Sequence, residues 1–150
     1  MSENKQQIPD NEWATIVENV PLVSVDLVIR HDGGIVLGFR KNEPAKGEWF
    51  VPGGRVFKNE KLNDAVARVA KEELGTTVTI ERQLGVYEHF YETSEVAGVE
   101  SKHYLANAFL VKTDTDKLDT DDQHAEFRVF HPPFDEAVHH PYVLRYLNEI

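Results

Sequence analysis

Two adjacent acids, Glu72 and Glu73, close a helical stretch that follows shortly after a Gly53-Gly54 turn. Within that stretch Leu62, Ala65, Val66, Val69 and Ala70 recur at the spacing of an apolar helical stripe. At about 100° per residue, Glu73 falls within about 20° of Leu62 and one turn beyond Val69, on the face that packs inward. A carboxylate held there is costly unless a cation meets it, which makes Glu73 a candidate metal ligand. The plainer alternative is a helix-end acid that escapes to solvent. Glu72 lies nearer the edge of the stripe, where it can pair with Arg68 one turn back with no functional meaning. Arg40 and Arg55 flank the glycine turn in a chain this acidic, which suits the binding of phosphate better than scattered surface charge does.

These residues need a scaffold, and 150 residues suffice for one domain with its own core. Residues 1–11 are expected to be a flexible N-terminal segment and residues 12–150 a single domain, since no repeat, low-complexity tract or linker divides them. Asp and Glu outnumber Lys and Arg by 26 to 16, and the net charge of −10 argues against a nucleic-acid partner. With no cysteine there are no disulfides, zinc-thiolate sites or thiol nucleophiles. Neither a signal peptide nor a long apolar run is visible, so the expectation is a soluble cytoplasmic protein without a membrane partner.

The pattern predicts a short helix over "ATIVENV", then a strand over "LVSVDLVIR" (22–30). In that strand Val23, Val25, Leu27 and Ile29 share one face and Ser24 and Asp26 the other. "HDGG" reads as a hairpin turn into "IVLGFR" (35–40), and "WFVPGG" as a strand ending in a bend. A helix over about 60–74, strands over 78–91, 102–112 and 126–131, and a terminal helix over "PYVLRYLNEI" complete an α/β sandwich.

Gly54, Glu60, Arg68, Glu72, Glu73 and Gly75 resemble the signature of the Nudix hydrolases, G-x5-E-x7-R-E-U-x-E-E-x-G-U, where U is apolar. Val69 stands where that signature has its first glutamate of the "REUxEE" core, and Thr76 replaces the last apolar residue. The resemblance implies the Nudix fold, a mixed β-sheet sandwiched between helices, and Mg²⁺-dependent hydrolysis of a nucleoside diphosphate derivative. In most of that family several carboxylates gather metals that activate water toward phosphorus, and the loss of one ligand should weaken such chemistry.

"ATIVENVPLVSVD", "GEWFVPGGRV", "GVYEHFY", "KHY" and "DDQH" are similar to one branch of the family, the GDP-mannose mannosyl hydrolases, over roughly residues 12–150. That branch lacks the first glutamate. Its water attacks the anomeric carbon of the sugar, giving GDP and mannose with inversion. Such a reaction needs one general base and no general acid, because cations can stabilise a departing diphosphate. The resemblance implies His124 as that base and Mg²⁺, replaceable by Mn²⁺, held by the Gly53 carbonyl, Glu73 and Gln123, with Glu72 a further candidate. By the same matching Arg40 and Arg55 hold the diphosphate, while Asp26, His89 and Tyr104 surround the sugar and leaving group. A homodimer is implied as well, and loop residues 92–101 are expected to set the sugar preference.

Each site residue has a plainer reading. His124 could be a solvated histidine paired with Asp121 or Asp122, His89 a strand residue among packed aromatics, and Tyr104 buried for its area. Arg68 reads as support for the helix, and His31, His131, His139 and His140 receive no role. Because Glu72 is retained, a conventional pyrophosphatase that attacks phosphorus stays open, as does a nucleotide-sugar sensor without turnover.

Overall fold

The strand over "LVSVDLVIR" becomes the centre of the molecule because its residues are buried on both faces. The computed structural model describes residues 7–115, 118, 126–135 and 139–150. In it β1 (Leu22–His31) pairs along nearly its full length with β6 (Lys102–Thr113), in parallel, from Leu22 opposite Tyr104 to Arg30 opposite Lys112. On its other side β1 meets two antiparallel neighbours. Its C-terminal end pairs with β2 (Gly34–Phe39), and its N-terminal half with the short β4 (Gly53–Arg55), so that Ser24, Val25 and Asp26 face Arg55, Gly54 and Gly53. Strand β3 (Trp49–Phe50) and β7 (Glu126–Phe130) flank β2, and β5 (Val78–Tyr91) forms the far edge beyond β6.

Two helices cover the two faces of this mixed sheet. Helix α2 (Leu62–Leu74) lays Ala65, Val66, Val69, Ala70 and Leu74 on Val25, Leu27, Ile29, Phe109 and Val111. Helix α3 (Pro141–Leu147) packs Val143, Tyr146 and Leu147 against Val28, Leu37, Ala108 and Leu110 on the opposite face. Helix α1 (Asp10–Asn19) closes one end through Val17, which meets Leu22 and Val99. The arrangement is the expected sandwich. Period-two alternation shows only one apolar face of β1, and the face carrying Ser24 and Asp26 turns out to be buried too, because α3 lies over it. Val23, expected inward, is instead exposed, since α2 does not reach that end of the strand.

Element ends move for local reasons. Helix α1 starts at Asp10, where Asp10 and Glu12 place acids in a first turn that favours them. Helix α2 starts at Leu62 instead of about residue 60, because the Glu60 carboxylate turns back to accept the Phe57 N–H at 3.0 Å. Helix α3 stops at Leu147, short of the predicted 150; it opens on Pro141, with His140 Nδ1 accepting the Tyr142 N–H at 3.1 Å. The "HDGG" turn joins β1 to β2 with Asp32 and Gly33 both at positive φ, as a tight hairpin of this hand requires. No helix among the described residues is long and apolar enough to cross a membrane.

Candidate functional site

The glycine turn lies against β1 so closely that neither residue has room for a side chain. A Cβ on Gly53 would collide with Asp26 Oδ1 and stand 2.8 Å from the Val25 carbonyl oxygen. One on Gly54 would meet Val69 Cγ2 at 2.9 Å. That approach brings the turn beside the polar end of β1. There Asp26, Arg40, Gly53, Arg55, His89 and Tyr104, all singled out in the sequence, line one cavity of about 110 Å³ together with Tyr91 and Phe50. Gln123 and His124, the expected neutral metal ligand and general base, lie outside the described residues.

Asp26 is the most unusual group in the cavity wall. It is 8% exposed, and burial raises its carboxyl to about 6, partly opposed by a hydrogen bond from Tyr146 and by the charge of Arg40. The Tyr146 hydroxyl lies 2.6 Å from Asp26 Oδ2 and 3.1 Å from His89 Nε2. His89 is 2% exposed, and burial lowers it to about 4, helped by the positive charge of Arg145 and by His140. The imidazole is therefore neutral at physiological pH, with Nδ1 4.0 Å from Asp26 Oδ2. Tyr142 stacks on it with ring centroids 4.2 Å apart and planes 6° from parallel. The Tyr142 hydroxyl is in turn anchored to both the N–H and the C=O of Phe90 on β5, each at 3.0 Å. Burial and the neighbouring Asp26 also push the Tyr91 phenol upward, so that it stays protonated.

The cations stand just after β2 and at the end of β4, held by backbone oxygens and aromatic faces. Arg40 Nε donates to the Pro44 carbonyl at 2.9 Å, and its backbone is tied to Glu48 and Gly47. The Arg55 guanidinium lies over the rings of Trp13 and Phe57, at 4.9 and 5.2 Å. Arg68 covers Phe57 at 3.7 Å and donates to the Arg55 carbonyl at 2.8 Å, so it braces the turn from behind. Its Nε and Nη2 form a two-pronged pair with Glu60 at 2.8 and 3.0 Å, and Nη1 reaches Glu72 Oε1 at 3.0 Å. The spacing of Glu60, Arg68 and Glu72 thus serves a structural clamp.

Glu73 faces a second cavity of about 220 Å³, which adjoins the first through Arg40, Phe50, Val51 and Gly53. It is half-buried, less enclosed than the helix phase predicts. Among the described residues lining this space, Glu73 is the one carboxylate; Val69 is 1% exposed within the core and Glu72 points to Arg68. No group of three or more His, Cys, Asp or Glu among the described residues is arranged to hold a metal. The donors this cavity offers, a carboxylate and the backbone of a side-chain-free glycine, are hard oxygen ligands of the type that magnesium takes, in a number that leaves positions for substrate oxygens and water.

Three residues that hold the site escaped the sequence reading. Trp13 supports Arg55, and Tyr146 joins Asp26 to His89 from a helix read only as a terminal element. Lys102 is buried, and its ammonium donates to Glu95 Oε2 at 2.8 Å and to the Tyr104 hydroxyl at 2.9 Å. An ammonium only donates, so the Tyr104 oxygen accepts from it and keeps its own proton for another partner. The same lysine ties Glu95, within the 92–101 loop, to the strand that carries Tyr104. Tyr142 and Tyr146, one turn apart, were the signal that one face of α3 carries two phenols.

A model of the NUDIX domain matches residues 20–146. The chain is 65% identical over 144 residues to the low-salt glycan biosynthesis protein Agl8 of Haloferax volcanii, across 96% of this chain and 91% of that protein. Over 67 residues it is 45% identical to an ADP-ribose pyrophosphatase of Methanocaldococcus jannaschii, an alignment covering 45% of this chain and 40% of the other. Among solved structures, the MutT NUDIX hydrolase of Burkholderia pseudomallei superposes with a TM-score of 0.69 at 25% identity, over 88% of this chain and 99% of that one. A NUDIX hydrolase of Nitrosomonas europaea shares the fold, with a TM-score of 0.65 at 24% identity over 87% of this chain and 88% of its own.

Proposed function

The chain belongs to the Nudix hydrolase family, and on that premise we propose that it hydrolyses a nucleotide sugar, taking GDP-mannose to GDP and mannose by attack of water on the anomeric carbon with inversion. The observation that carries this reading is the carboxylate set of α2. Val69 is in the core, Glu72 is engaged by Arg68, and Glu73 faces the cavity. One helical acid suits stabilisation of a leaving diphosphate better than it suits the assembly of several metals around an attacking water. The relative that matches along nearly the whole chain carries a name from glycan biosynthesis, which fits a sugar-bearing substrate.

In this reading the oxygen of water forms a bond to C1 of the sugar while the bond from C1 to the diphosphate oxygen breaks, and the pair of electrons leaves with GDP. His124 takes the proton from water. Arg40 and Arg55 bind the diphosphate, and the Tyr104 hydroxyl, already accepting from Lys102, donates to an oxygen of the ligand. Asp26, ionised above about pH 6, places negative charge beside the carbon where positive charge develops. Glu73 and the Gly53 carbonyl would hold Mg²⁺ or Mn²⁺ together with Gln123, and the ion would neutralise the departing diphosphate.

A second reading, a conventional pyrophosphatase, is favoured by the retained Glu72 and by the partial match to an ADP-ribose pyrophosphatase. It would give GMP and mannose 1-phosphate. Incubation with GDP-mannose and Mg²⁺ in ¹⁸O-labelled water separates the two. Label in free mannose beside unlabelled GDP is the expected result, and label in GMP or mannose 1-phosphate would overturn it.

A further inference from the structure

Helix α3 sets two phenols, Tyr142 and Tyr146, against the His89 and Asp26 side chains that line the cavity, and their geometry constrains where protons sit. Tyr146 is fully buried, its ring edge-on to Tyr87 with centroids 4.7 Å apart. Its oxygen stands between Asp26 Oδ2, at 2.6 Å, and His89 Nε2, at 3.1 Å. A phenol has one proton to donate, and a carboxylate can only accept. The short contact therefore commits the Tyr146 proton to Asp26, and the longer one requires His89 Nε2 to carry a hydrogen that points at the phenol oxygen. The other ring nitrogen, Nδ1, is left with its lone pair. Tyr142, stacked on the imidazole and pinned to the Phe90 backbone, keeps the ring from turning over.

We propose that Tyr146 is a positioning residue that fixes His89 as the Nε2–H tautomer, so that His89 Nδ1 and Asp26 together present acceptors to the hydroxyl groups of the substrate. Its functional part rests on the nucleotide-sugar reading above. In the cavity they share, Arg40 and Arg55 offer donors to phosphate oxygens, while Asp26 and His89 Nδ1 offer acceptors to O–H groups. A phosphate oxygen placed against two acceptors would be repelled, so the pair orients the ligand with its sugar inward. The contact spans 120 residues of sequence and makes the last helix part of the reaction centre.

The test is long-range ¹H–¹⁵N correlation of the histidine rings in ¹⁵N-labelled protein at pH 8, with His89 assigned by its absence from a His89→Gln variant. The wild type should show the Nε2–H tautomer at His89. Tyr146→Phe, which keeps the ring and removes only the hydroxyl, should lose that preference. An Nδ1–H tautomer in the wild type overturns the proposal whether or not the variant folds. With GDP-mannose, Tyr146→Phe should lower kcat by about 10-fold or more while KM changes by less than about 3-fold. An unaltered kcat in a variant whose tautomer has changed would also overturn it. If the wild type turns over no nucleotide sugar, the substrate reading fails while the spectra decide the tautomer independently.

Discussion

Val69 Cγ2 occupies the space beside Gly54, 2.9 Å from where a Cβ on that glycine would stand. The residue that replaces the first glutamate of the family signature is therefore a packing element, with Val25, Leu27 and Phe109 in the same cluster. Val69→Glu restores the signature in sequence but puts a carboxylate where 1% of the valine is exposed. The expected outcome is a loss of about 2–4 kcal/mol in urea denaturation without metal. Part of that loss should return with millimolar Mg²⁺, because a cation bound at the new acid and Glu73 stabilises the folded state alone. Product analysis in ¹⁸O-water then reads whether the added acid brings phosphorus attack.

Asp26 and His89 titrate in opposite senses and should hide one another. Asp26 rises from 3.8 to about 6, so the folded state holds its proton longer than the unfolded chain does, and its contribution to stability declines as pH rises through that window. His89 falls from 6.5 to about 4, so the unfolded chain takes the proton first, and its contribution is lost as pH falls through the same window. Each is worth about 3 kcal/mol at most. The wild type should be nearly flat in stability from this pair between pH 4 and 6.5. Asp26→Asn should unmask a rise in stability with pH, and His89→Gln a fall. Chemical denaturation at four or five pH values measures both slopes, and parallel slopes in the two variants would contradict the assignment.

Glu73→Gln replaces an anionic oxygen with a neutral amide in the cavity shared with Gly53. The Mg²⁺ concentration for half-maximal turnover should rise by about 10-fold or more, with a lower ceiling. A Mg²⁺ titration of initial rates is the measurement, and an unchanged half-point would remove Glu73 from the metal site.

His124→Ala should reduce turnover by about 10²- to 10⁴-fold while binding of GDP-mannose, read by calorimetry, stays within a few-fold of wild type. Near-normal rates at neutral pH would exclude His124 as the base.

The residues that cluster around the turn were legible because local rules and the family signature agree on them. Gly54, Glu60, Arg68, Glu73 and Gly75 lie on the turn, on α2 and just beyond its two ends, a short stretch in which spacing and the signature select the same residues. The parallel pairing of β1 with β6 was not legible, since no sequence period distinguishes a strand's neighbours. It is this pairing that puts Leu22 opposite Tyr104 and brings Asp26 beside the strand that pairs with β5. Ser24 and Asp26 looked like the polar face of an ordinary alternating strand, and only α3, arriving some 120 residues later, makes that face an interior. The same distance concealed Tyr146, because a phenol on a terminal helix carries no mark of the carboxylate it will meet. Arg68 read correctly as support, but its two-pronged contact with Glu60 and its reach to the Arg55 carbonyl depend on a bend that spacing does not describe.

The anchoring of the Tyr142 hydroxyl to Phe90 also bears on how the protein behaves toward other chains. Strand β5 is the outer strand of its side of the sheet and runs for 14 residues, with Val86 and Phe90 each 59% exposed. A long edge that carries two such exposed apolar side chains is a template onto which another extended segment can add by backbone pairing. At Phe90 both outward backbone groups, N–H and C=O, are already occupied by one phenol, and the two register shifts against β6, between Ile80 and Arg82 and between Gln83 and Gly85, kink the strand further back. The side chain that flattens itself against His89 therefore also blunts the edge, and its loss would expose a site for aggregation as well as loosen a histidine.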